Sequence, residues 1–143
     1  MKKGGYMFMK DFEYPTEESI ETLCKEFDLQ RPDEYTQNWE YEVLIETSRI
    51  REFIKYYQNN QLNNETRFTL MILIVSLLND AIGDDEPLSN DLWNEVLNVL
   101  VHENKIHMNT ILYWAVEDED EQEYAFPVTP YMRHALSKIK ELS

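Results

Sequence analysis

The eleven residues FTLMILIVSLL, Phe68 to Leu78, constrain this 143-residue chain more than any other stretch. Only Thr69 and Ser76 interrupt them. A membrane span needs about 20 apolar residues, so the run is too short by itself to cross a bilayer. A helix apolar on most of its circumference has to be covered on most of its circumference. The spacing therefore predicts a helix from about Glu65 to Ile82 at the centre of the fold, with other helices packed around it. Gly83 is expected as its C-cap, because glycine takes the left-handed conformation at little cost.

Amphipathic patterns supply the helices that would surround it. Over EESIETLCKEFDL, opened by Pro15 and Thr16, the residues Ile20, Leu23, Cys24 and Phe27 form one apolar face. Glu17 and Glu18 fall in the first turn, where unpaired N–H groups favour negative charge, and Pro32 ends the unit. A second helix is expected along NWEYEVLIETSRIREFIKYYQNN, with Val43, Thr47, Ile50, Ile54 and Tyr57 as its stripe and Leu44 and Phe53 widening it. Asn59 to Asn64 reads as a loop. Leu92, Trp93, Val96, Leu97, Leu100 and Val101 predict a helix ending at His102 and capped by Ser89 or Asn90. Thr129 reads as an N-cap with Pro130 at the first helical position, ahead of a buried stripe of Met132, Ala135, Leu136 and Ile139.

The segment between these two helices admits two readings. Met108, Ile111, Leu112 and Ala115 suit a helix. The strand-favouring ILYWAV and EYAFPV also flank an acidic run as the arms of a β-hairpin would. The expected fold is thus mainly α, an orthogonal or irregular bundle of five to six helices, with or without a small hairpin before the last one. It forms one helical domain over residues 1–143, of which 1–15 are an irregular lead-in.

Charge narrows the function classes. The formal net charge is −15, which argues against nucleic-acid backbones and anionic membrane surfaces as partners. The excess is local: Asn79 to Glu123 holds 13 acidic residues and one basic, Lys105. Two tips carry most of it. One is Asp84, Asp85 and Glu86; the other is Glu117, Asp118, Glu119, Asp120, Glu121 and Glu123. Tyr113, Trp114, Tyr124 and Phe126 flank the second tip. Tyrosine and tryptophan are favoured interface anchors, so carboxylates rimming an aromatic centre suit a basic protein partner. The expected contact residues are Asp84, Asp85, Glu86, Trp114, Glu117, Asp118, Glu119, Asp120, Glu121, Glu123 and Tyr124. A solvated turn, or a shield for the basic C-terminal helix of Arg133, Lys138 and Lys140, are the competing readings of the same run.

Catalytic and metal motifs are weak. The acidic run has no glycine and no EF-hand spacing. HENKIH, His102 to His107, is one residue longer than the zinc-binding HExxH, and residues five apart diverge on a helix by about 140°. Both histidines are expected at the surface or at helix ends, with His107 within reach of Glu103. Cys24, the only cysteine, sits on an apolar face and reads as buried and inert. Glu46 is the one acid placed beside a strong apolar stripe. No cofactor or metal is expected. The residues favour a non-catalytic interaction module that docks or masks a basic protein. The alternatives are a small enzyme built from scattered carboxylates and tyrosines, and a structural subunit of a homo-oligomer. No disulfide is available and the apolar N-terminal run is short, so a cytoplasmic setting is expected.

Overall fold

A computed structural model describes residues 12–86, 88–117 and 125–142. The described residues form helices and no strand. In chain order these are α1 (Glu17–Phe27), α2 (Trp39–Glu42), α3 (Ile50–Asn59), α4 (Asn64–Gly83), α5 (Asn90–His102), α6 (Asn104–Ala115) and α7 (Thr129–Glu141), with a 3₁₀ turn at Thr47–Arg49 leading into α3.

The apolar run makes α4, which packs against α1, α2, α3 and α6. Over 20 residues it matches a membrane span in length and hydropathy, yet 67% of its apolar window is buried within the protein. Its polar residues are accommodated: Thr69 Oγ1 donates to the Glu65 carbonyl at 3.0 Å and meets Ser19 Oγ of α1 at 2.7 Å. Ser19 also completes a capping box with Thr16, each backbone N–H donating to the other residue's hydroxyl at 3.1 Å. The α1 stripe therefore docks through both its apolar face and its N-terminal cap. Asn63 caps α4 and Ser89 caps α5, each accepting a backbone N–H from three residues on. Around α4, α5 packs on α3, α6 and α7, and α6 packs on α7. One continuous apolar cluster draws residues from all seven helices.

Several expectations need correction. The long second helix is two elements. After α2 the chain turns extended at Val43 (ψ 133°) and Glu46 (ψ 137°) before re-entering helix. The β-branched Val43 and Ile45 favour that backbone, and Leu44 is left 89% exposed. This split, with a separate α6, takes the helices beyond five or six. Among the described residues there is no hairpin, because 111–115 belong to α6: Ile111, Trp114 and Ala115 are buried at helical spacing, while Leu112 and Tyr113 face outward. Gly83 is the last residue of α4 and has an ordinary φ. The left-handed residue there is Asp85, at φ 61°. Gly83 packs beside Pro127, where a Cβ would lie 3.4 Å from Pro127 Cγ, an ordinary contact. Thr129 opens α7 but does not cap it; Val128 holds that position.

Candidate functional site: an acidic and aromatic face

The two ends of the acidic run are tied to the core by polar bonds from α4 and α7. On the entering side, Arg133 donates from Nε to the Ala115 carbonyl and from Nη2 to the Val116 carbonyl, both at 2.7 Å. These carbonyls end α6, where a cation is favoured. On the returning side, the Phe126 N–H donates to Thr129 Oγ1 at 2.9 Å, and Thr129 Oγ1 donates to the Trp114 carbonyl at 2.7 Å. The Val128 N–H donates to Asn79 Oδ1 of α4 at 3.0 Å. The loop's return is therefore held against the C-terminal end of α4.

This places the first acidic tip beside the return of the second. Asp84, Asp80, Glu46 and Pro127 line one open cleft of about 580 Å³. Burial, and then the charge of Asp84, raises the Asp80 carboxyl above its usual range. Glu86 turns aside and accepts from Thr47 Oγ1 at 2.9 Å. Glu117 lies along α7, paired with Lys140 at 2.9 Å. Asp118, Glu119, Asp120, Glu121, Glu123 and Tyr124 lie outside the described residues. Glu46 is exposed, so it is not the acid in an apolar setting.

An aromatic stack reaches this cleft through Phe126, the residue before Pro127. Tyr113 of α6 stacks on Tyr41 of α2 at 5.4 Å between ring centroids and on Phe126 at 5.7 Å. Tyr41 and Tyr113 remain 40% and 49% exposed. Trp114, expected at the contact surface, is 4% exposed and lies beneath the stack, edge-on to Phe126 at 4.8 Å. It supports the surface from the core. Tyr41 was not among the expected contact residues. Its sequence neighbourhood, WEYE, contains no sign that it meets a ring 72 residues away. Burial, followed by Tyr113 and Glu40, pushes its phenol well above the ordinary range.

A second polar group centres on two buried rings, Tyr57 and His107, with Glu103 and Arg67 partly exposed at its edge. Tyr57 of α3 donates its hydroxyl proton to Glu103, and His107 Nε2 lies 2.8 Å from the same oxygen. Glu103 also accepts from Arg67 Nη1 at 3.5 Å. Tyr57 has one proton, and the carboxylate is the stronger acceptor. His107 is therefore assigned as the Nε2–H tautomer, donating to the phenol, with Nδ1 bare. Nδ1 is buried and has no partner among the described residues. Burial, and then Arg67, holds the imidazole pKa down to about 3. His107 lies in the first turn of α6, one of its two expected positions, but is 0% exposed, so the surface alternative is corrected. His102 is exposed and bonds to the Asn98 carbonyl at 2.8 Å, so the two histidines do not converge. Among the described residues no three metal-ligating side chains come together. Cys24 is buried, and burial raises its thiol pKa.

No protein-family model, curated protein sequence or solved structure matches this chain.

Proposed function

We propose that the chain is a non-catalytic interaction module that docks a basic protein on the face formed by Tyr41, Tyr113, Phe126 and the carboxylates around the end of α4. The observation that carries this reading is the Tyr41–Tyr113 stack, two half-exposed rings with centroids 5.4 Å apart that line one cleft with Glu13 and Glu40. Rigid tyrosines supply contact area at low entropic cost and recur among interface anchors. Surrounding negative charge speeds encounter with a basic partner and rejects acidic ones. A cytoplasmic setting belongs to the same reading.

The test starts from a basic protein retained by the native chain at about 100 mM salt, where the screening length is roughly 10 Å. Association is then timed with Asp84, Asp85, Glu86 and Glu117 replaced by Asn or Gln, and separately with Tyr41→Ala. The expected result is association slower by about 10-fold or more in the neutralised variant, with a flatter salt dependence. Tyr41→Ala should act on dissociation instead. Unchanged rates at every salt concentration would remove the reading.

The Glu117–Lys140 pair favours a second reading, in which the acidic run screens the basic face of α7. Under it, neutralising the run leaves partner association unchanged and increases retention of the chain on a polyanion such as heparin.

A further inference from the structure

The face described above has a recess at one edge. Glu13, Tyr14, Glu40, Tyr41, Thr110 and Tyr113 line an open cleft of about 330 Å³, with Phe68 and Ile72 of α4 as apolar lining. Two of its polar groups are unusual. Glu40 is 9% exposed, and among the described residues no cation lies within ion-pair distance of it. Burial raises its carboxyl above the ordinary range. Thr110 is 4% exposed, and its Oγ1 is buried without a hydrogen-bond partner among the described residues. A buried hydroxyl that lacks a hydrogen-bond partner and a buried carboxylate that lacks a cation each cost folding free energy. Both line a cleft walled by tyrosine rings.

We infer that this cleft takes an arginine side chain of the basic partner, with the guanidinium held by Glu40 and Thr110 and its plane against Tyr41. This rests on the docking role proposed above. The chemistry selects a guanidinium: it is planar, stacks on aromatic faces, and donates in several directions at once. Glu40 accepts a charge-assisted pair, Thr110 Oγ1 accepts another N–H, and the Tyr41 ring supplies cation–π attraction. A lysine ammonium satisfies the carboxylate but has no plane to lay on Tyr41. The partial burial that makes Glu40 costly in the free protein strengthens its attraction for an entering cation.

The full chain is titrated with N-acetyl-arginine amide and, separately, N-acetyl-lysine amide, following backbone amide resonances. The expected result is saturable shifts at Glu40, Tyr41, Thr110 and Tyr113, with the lysine compound several-fold weaker. Glu40→Gln should weaken arginine binding by about 10-fold or more without lowering Tm, because it removes a buried unpaired carboxylate. Thr110→Val should weaken it less, and serves as the second variant if Glu40→Gln does not fold. A peptide of alternating arginine and glycine separates the two proposals. If it binds through Asp84, Asp85, Glu86 and Glu117 while arginine amide leaves the cleft amides unmoved, the cleft assignment is overturned and the docking face stands. If arginine occupies the cleft but neutralising those four residues leaves partner association unchanged, the steering role falls and the cleft stands. Binding seen only after Lys2, Lys3 and Lys10 are replaced by alanine would make the occupant the chain's own N-terminal segment, and overturn the assignment to a partner.

Discussion

The Tyr57 hydroxyl of α3 lies 2.8 Å from Nε2 of His107 on α6, joining two helices through a phenol that also serves Glu103. The imidazole is buried, uncharged and one hydrogen bond short of satisfied. That arrangement makes the fold sensitive to acid through a single residue.

Between an unfolded value near 6.5 and a folded value of about 3, the unfolded chain binds a proton at His107 that the folded chain does not. Stability from this group is therefore complete above pH 6.5 and is lost as pH falls toward 3, with a slope approaching about 1.4 kcal/mol per pH unit. His107→Gln removes that contribution. Urea unfolding at several pH values between 7 and 4 should show the variant's stability falling less steeply than that of the native chain. Parallel slopes would mean that His107 is not the residue responsible.

Gly83 and Asp85 divide the end of α4 in a way that substitution can check. Gly83 has an ordinary φ and room for a methyl group against Pro127. Gly83→Ala should stabilise by about 0.4–1 kcal/mol, mainly by restricting the unfolded chain. Asp85 carries the left-handed backbone at φ 61°, so Asp85→Val should cost roughly 1–2 kcal/mol and Asp85→Gly should not. Thermal unfolding of the three variants decides it. A destabilising Gly83→Ala would return the capping role to the glycine.

Leu44 and Ile54 belong to one stripe if the chain is a single helix over 38–60. In the structure Leu44 is 89% exposed and Ile54 is 5% exposed. Leu44→Ser should change stability by no more than about 0.5 kcal/mol, whereas Ile54→Ala should cost about 2–5 kcal/mol. Chemical denaturation measures both. Comparable losses would restore the continuous helix.

What could be read along the chain was set by neighbours within a turn or two. The run from Phe68 to Leu78 required a covered central helix, because so much apolar circumference has no other stable place in water. Ser89 and Thr16 marked helix starts because their hydroxyls satisfy N–H groups three residues on, a purely local geometry. The stripes of α1, α5 and α7 were legible for the same reason. The extended stretch at Val43–Glu46 was not, because Val, Leu and Ile satisfy a helical period and an extended one equally well. Residues 111–115 were ambiguous on the same grounds, until packing against α7 and α4 decided which of Ile111, Leu112, Tyr113 and Trp114 faced inward.

The acidic tips were visible as composition, but their placement was not. Asp84 sits near the loop's return because Asn79 and Gly83 of α4 receive Val128 and Pro127, contacts spanning more than forty positions. Glu117 joins Lys140 across 23 positions, while Tyr41 joins Tyr113 and Glu40 enters a recess with Thr110 across longer separations still. Local chemistry determined that this chain forms amphipathic helices around one apolar helix and carries its acid in two short runs of sequence. Which polar side chains are buried, and which rings share a face, was decided by tertiary packing, because those contacts join residues whose own neighbourhoods contain no trace of each other.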